Sequence, residues 1–356
     1  GLGLWLLAGV RERRARPAGA VLVFLAVAVI LLAQSRAGVL AAVAVVGLAT
    51  GCSERRLETA LLGLLAGVPA VVVGWAFTRP ALVSGGATRA ARVSDGAVLG
   101  VLLVVGAFAA VLLADRVPAG RIVDTRRRLV TRALAGSAIG LALLGVVGLA
   151  LAVGNPLTWA GGQLGGTGEV TNEPGRLGSL ETNNRTVWWG EAMDVFRAHP
   201  AGGTGAWTFE IARKRVRATA QNVSEPHSVP LQLLSDGGVP AFLLGVGLAA
   251  GVAVGVRSAL RRLQTGERAA AVALAGLPLA FGLHALVDYD LDYLAVTAPT
   301  LLVAAALLGA ARPPLRIASR ALVGTGAVVV GTMAVDRKST RLNSSHVSES
   351  RMPSSA

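Results

Sequence analysis

The chain is 356 residues long and 53% hydrophobic, with 45 glycines and only 15% charged residues, and its mean hydropathy is +0.61. Apolar runs near span length recur throughout, which excludes an ordinary soluble domain and leaves a multi-pass membrane protein. The net charge of +14 would suggest nucleic acid in a soluble protein, but these arginines lie in short segments between apolar runs, the pattern of topology signals, so no nucleic-acid partner is expected.

The chain opens Gly1-Leu2-Gly3 without an initiator Met, inside what reads as the second half of a span over 1–10, so further membrane segments are expected upstream. Spans are predicted at 18–34, 37–52, 57–77, 96–114, 133–153, 238–256, 269–287, 294–311 and 319–335. Residues 19–50 could form a single helix. At 1.5 Å per residue it would be about 48 Å long against a hydrocarbon core of roughly 30 Å, with Arg36 at mid-depth. Two short spans meeting at Arg36 fit better. The stretch 337–356 abandons the Ala/Val/Leu/Gly composition and resembles translated sequencing adapter, so it is set aside as non-native.

Arginine clusters at Arg11–Arg16, Arg55–Arg56, Arg116–Arg132, Arg257–Arg268 and Arg312–Arg320 fall in every second connection. The positive-inside rule makes all five cytoplasmic. Parity then puts Gln34–Arg36, the segment 78–95, the long polar loop and Asp288–Tyr293 on the external face. The chain divides into N-terminal membrane helices (1–153), an external loop (154–229), C-terminal membrane helices (230–336) and the tail (337–356). The fold class is an all-α integral membrane protein, a multi-pass helical bundle with a long, partly helical external loop. Cys52, near a cytoplasmic end, leaves no internal disulfide to brace that loop.

A loop of that size is where chemistry is expected. Within it, "NNRTVWWGEAMDVFRAHPAGG" reads as a capped amphipathic helix, with Asn183 or Asn184 as N-cap and a stop at His199-Pro200 and Gly202-Gly203. Its apolar stripe is expected on the membrane surface. Trp188 and Trp189 suit the interface as anchors, or stack on sugar. A second helical stretch, Trp207 to Ala220, carries Arg213, Lys214, Arg215 and Arg217, either a solvated face or a cationic wall for anionic substrate or lipid headgroups. Pro226 and Pro230 then bracket His227, placing it in the first turn of a short helix that ends at Gly237-Gly238 before Pro240 opens the next span. An imidazole there suits proton exchange near neutral pH, although a lone His is also often structural.

Three stretches together resemble the O-antigen ligase and O-antigen polymerase superfamily of bacterial envelope glycosyltransferases: "QSRAGVLAAVAVV", "NRTVWWGEAMDVFRAHPAGGTGAWTF" and "PHSVPLQLLSDGGVPAFLLGVG". "HALVDYDLDYLAVTAP" is similar to the family's closing His/Asp segment, so the resemblance runs from about residue 19 to 311. It implies an integral-membrane enzyme with a GT-C-like fold in the bacterial plasma (inner) membrane. Such an enzyme takes a glycan from an undecaprenyl-diphosphate carrier on the external face and attaches it to a hydroxyl of a lipid or glycan acceptor, without metal or cofactor. The family's critical residues match Arg36, Arg185 and His227. This chain has His227-Ser228 where His-Asn is usual, so one amide is absent.

The residue types agree with that chemistry. Displacing a diphosphate requires cations where charge develops on the leaving group, and Arg matches phosphate bidentately. The acceptor hydroxyl requires a base. Arg36 and Arg185 supply the first and His227 the second, with Arg213, Arg215, Arg217, Trp188 and Trp189 as substrate-binding candidates. Two rivals remain. A transporter or flippase of lipid-linked glycans would place ionisable groups at mid-membrane, where these spans carry almost none. A metal-dependent transferase would use Asp288, Asp290 and Asp292 with His284, a cluster that reads more simply as a solvated, aromatic-flanked turn.

The arginine pattern makes a topology prediction. Single cysteines at Ser53, Thr125 and Thr265 should resist an impermeant thiol reagent in intact cells, whereas cysteines at Thr171 or Ser179 should react. Labelling of the first group would reverse the orientation.

Overall fold

The computed structural model describes residues 1–8, 15–83, 86–117, 182–217 and 220–310. The predicted spans at 133–153 and 319–335, the arginine-rich run beyond Val117 and the 337–356 tail lie outside them. The described residues are helical, with no strand among them.

Helix α1 (Leu2–Ala8), α2 (Ala15–Leu32) and α3 (Arg36–Cys52) open the bundle. Helix α4 (Arg56–Gly63) runs through a 3₁₀ turn (Leu64–Ala66) into α5 (Gly67–Phe77), and a single turn, α6 (Pro80–Val83), leads to α7 (Arg89–Arg116). The loop contributes α8 (Arg185–Ala198) and a one-turn α9 (Phe209–Ala212). Helices α10 (Val229–Arg262), α11 (Thr265–Ala285) and α12 (Leu294–Ala310) complete the described bundle. Among the described residues five segments are long and apolar enough to cross a membrane: α2, α4 with α5, α7, α10 and α11; α3 and α12 are shorter apolar helices.

Side chains that would be a liability in water face outward, with Leu244 76% exposed, Val104 71% and Leu302 71%. In a bilayer these meet lipid. Internal contacts rely on small residues, as expected where the bilayer removes the hydrophobic drive between helices and close packing must supply it. Gly3 and Gly19 bring α1 and α2 so close that a Cβ on Gly19 would stand 2.7 Å from the Gly3 carbonyl. Gly106 on α7 receives the ring of Phe24, and Ala20, Ala110 and Ala114 are almost fully buried.

The break expected at Arg36 is present. Helix α2 stops at Leu32, Gln34 takes a left-handed φ of 51°, and Ser35 caps α3 by accepting from the Gly38 N–H at 2.9 Å. Connections given one sidedness by parity also converge. Arg16 reaches Glu58 at 3.5 Å and the Val117 carbonyl at 3.3 Å, and Arg55 reaches Glu58 at 3.6 Å. Ser35 lies about 27 Å away, at the far end of α2.

Helix α10 would be about 51 Å long if straight, too long for one crossing. It breaks at Gly238, whose φ of 64° and ψ of −160° suit glycine alone. The loop after α8 fits this notch: Thr204 N–H donates to the Ser235 carbonyl at 3.0 Å, Gly205 N–H to the Asp236 carbonyl at 2.8 Å, and Val239 N–H to the Pro200 carbonyl at 2.9 Å. A Cβ on Gly238 would lie 2.5 Å from that Pro200 oxygen. The predicted stop at Gly237-Gly238 is thus a docking seam, where "HPAGGTG" and "SDGGVP" meet through backbone hydrogen bonds.

Two local expectations need correction. The helix predicted from Trp207 to Ala220 shrinks to α9 and a 3₁₀ turn at Arg213–Arg215. His227 is not in a first helical turn: it precedes the N-cap Ser228 with a φ of 53°, a left-handed conformation held from outside by its partners.

Candidate active site

Asn183 and Asn184 both take left-handed φ values, 51° and 64°, conformations Asn tolerates better than most residues. Asn184 occupies the expected N-cap position of α8 without a side-chain cap hydrogen bond; its amide donates instead to Gln221 Oε1 at 3.0 Å. The apolar face of α8 does not lie on a membrane surface as expected. Trp188 and Ala192 are buried against Phe209 and Val223, with Leu231 packed alongside. Under this face Arg213, 1% exposed, lies 2.7 Å from the Glu191 carboxylate and donates to the Gln221 carbonyl at 2.7 Å. Arg213 therefore holds the loop together from inside and is no part of a cationic wall. Lys214, Arg215 and Arg217 remain exposed.

This packing puts Arg185 at the first position of α8, facing the short connection between α11 and α12. Arg185 Nη2 donates to Asp288 Oδ2 at 3.1 Å. The other carboxylate oxygen, Oδ1, meets His227 Nδ1 at 3.2 Å and accepts the Tyr289 N–H at 3.0 Å. All three side chains are about a quarter exposed. Aromatic rings fix the imidazole: Trp188 stacks on it at 4.9 Å between centroids, and Tyr289 meets it edge-on at 4.6 Å. Trp189 Nε1 donates to the His227 carbonyl at 3.3 Å.

Burial works to raise the Asp288 pKa, but the His227 hydrogen bond and the Arg185 charge outweigh it and hold the carboxyl below its ordinary range. An ionised carboxylate at Nδ1 selects the neutral tautomer with its proton there, leaving the Nε2 lone pair as the basic position. Nearby, burial first and then the negative charges of Asp292, Asp236 and Glu210 push Glu225 up to about 7. Its side chain is 5% exposed, with Oε2 buried and unpartnered.

The acidic turn departs from the solvated turn expected of it. Asp288, Asp290 and Asp292 face three different partners: Arg185 with His227, His284, and Gln232, whose amide donates to Asp292 at 3.2 Å. Among the described residues no group of three His, Cys, Asp or Glu side chains is placed to hold a metal ion. Arg36, half-buried at the start of α3, joins the assembly through its neighbour Ser35, whose hydroxyl lies 3.5 Å from His284 Nε2. Arg185, His227, Trp188 and Trp189 thus come together directly. The "DYDLDY" segment, with aspartate at every second position between two spans, marks the hub in sequence, but no pattern pairs Asp288 with Arg185 across 103 positions.

Residues 80–246 match the family model described as O-antigen ligase. The match takes in the α8 motif and the His227 approach to α10, in keeping with the resemblance read from the sequence. It stops short of Ser35–Arg36 on one side and the acidic turn on the other. No curated protein and no solved structure matches the chain.

The Arg213–Glu191 pair separates structural from exposed arginines. Arg213→Ala leaves a buried carboxylate without its partner and should cost about 3–5 kcal/mol. Arg215→Ala and Arg217→Ala, at exposed positions, should stay within about 0.5 kcal/mol. Thermal unfolding in detergent checks this, and equal midpoint shifts for all three would contradict the assignment.

Proposed function

From the match of residues 80–246 to the family model described as O-antigen ligase, we propose that the protein is a glycan transferase acting at the bilayer surface. Its donor is a glycan on an undecaprenyl-diphosphate carrier and its acceptor a hydroxyl of a lipid or a second glycan. The site works on the external face of the bacterial inner membrane. The observation that carries the reading is the Asp288 carboxylate shared by Arg185 and His227, which sets a cation and a base side by side.

In the reaction the acceptor oxygen attacks the anomeric carbon while its proton passes to His227 Nε2. The bond from the anomeric carbon to the phosphate oxygen breaks, and its electron pair leaves with the diphosphate. A single in-line displacement inverts the anomeric centre. Arg185 has donors beyond the Nη2 committed to Asp288, and a guanidinium can use them on a phosphate without releasing the carboxylate. Arg36 adds a second fork. Trp188 and Tyr289 hold the imidazole plane, so the base does not search for its position during the step.

The charges this chemistry needs come from the chain itself, and we expect transfer to survive excess chelator. A transport reading fits less well, because the site's side chains belong to helix ends and connections and not to the middle of spans.

The reading separates binding from chemistry. His227→Ala should lower the transfer rate by about 10²–10⁴-fold while donor binding persists, because the arginines are untouched. His227→Asn tests the capping alternative, since Asn is polar and a good cap. Rapid transfer by His227→Asn would remove the base. Arg36→Lys and Arg185→Lys should each lose most activity, since an ammonium keeps the charge without the fork. Arg215→Lys should be mild, because a diffuse positive wall is indifferent to geometry.

A further inference from the structure

The acidic turn holds a second imidazole–carboxylate pair that the reaction above does not use. His284, near the end of α11, presents Nδ1 to both oxygens of Asp290 at 2.8 and 3.0 Å. Its Nε2 lies 3.5 Å from Ser35 Oγ, at the long end of hydrogen-bonding distance. Ser35 Oγ already accepts the Gly38 N–H at 2.9 Å. Asp290 is itself fixed, its carbonyl accepting from Thr297 Oγ1 on α12 at 2.9 Å.

With His284 neutral, the donors and acceptors fit in one direction. A carboxylate at Nδ1 places the imidazole proton there and leaves the Nε2 lone pair to accept the Ser35 hydroxyl proton. The hydroxyl then donates to His284 and accepts from Gly38. A histidine needed only to fill space between α3 and α11 would not require a carboxylate on one nitrogen and a hydroxyl on the other, since burying such groups is costly unless each is matched. The residue after Ser35 is Arg36, which starts α3 after the short connection 33–35.

We propose that Asp290, His284 and Ser35 form a positioning relay for Arg36. The relay ties the start of α3 to the turn that carries Asp288, so the same short segment aligns the cation on the donor diphosphate and the base on the acceptor. His284, Ser35 and Asp290 are positioning residues that touch no substrate. The inference rests on the reading of Arg36 as a contact to the donor diphosphate.

The test uses the full chain in detergent or vesicles with an undecaprenyl-diphosphate-linked glycan, measuring donor KM and kcat separately. His284→Ala and Ser35→Ala should raise donor KM by roughly 10-fold and lower kcat as well, since Arg36 is read as holding the diphosphate both when bound and as its charge develops. Ser35→Thr, which keeps both hydroxyl and cap, should restore wild-type behaviour. Combining His284→Ala with Arg36→Lys should raise donor KM no further than Arg36→Lys alone, because both remove one function. Asp290→Asn repeats the test if His284→Ala does not fold, with the thermal midpoint reporting folding. Additive effects, or an unchanged donor KM in folded His284→Ala and Asp290→Asn, overturn the relay while leaving the Arg36 reading in place. Wild-type donor KM and rate in Arg36→Lys overturn the Arg36 reading and the relay with it.

Discussion

A single carboxylate organises the site. Asp288 accepts from a guanidinium, meets an imidazole and accepts its neighbour's backbone N–H. Burial alone pushes such a carboxylate towards its protonated form. With these partners it stays charged, and its charge has three consequences. It draws the start of α8 onto the α11–α12 connection, it selects the tautomer of His227, and it sets a cation beside the imidazole.

That arrangement depends on features well away from it. Helix α10 is too long to cross a bilayer straight, and its break at Gly238 lets the first turns turn aside and present His227. The loop after α8 fills the break through its own backbone, so the α8 motif and the His227 approach are parts of one assembly. Beneath them the buried Arg213–Glu191 pair fixes α8 to the following turn. The left-handed φ of His227 belongs to the same economy, a strained residue held by Asp288, the two tryptophans and Tyr289.

Much of the fold is legible in the sequence because the bilayer imposes simple constraints. The break at Arg36 follows from helix length against core thickness, and the stop at Gly237-Gly238 from backbone freedom, both local properties. The site is less legible. Arg213 and Arg215 look alike in sequence, yet one is buried in an ion pair and the other exposed, because only the packing of Phe209 and Trp188 decides which points inward. The acidic turn reads as solvated because its partners, Arg185, His227, Ser35 and Gln232, come from distant segments. Trp188 has the composition of an interface anchor and instead packs on the imidazole. In each case the deciding contact is long-range, which periodicity and spacing do not carry.

The central claim is that Asp288 holds the base and the cation in register, and Asp288→Asn tests it directly. Asn keeps the shape and can still accept a hydrogen bond, but it removes the charge that orients the His227 tautomer and offsets Arg185. With folding verified by thermal midpoint, transfer from a lipid-diphosphate-linked glycan should fall by at least about 10²-fold, while donor still binds through the arginines. A folded Asp288→Asn protein that transfers at the wild-type rate would contradict the account.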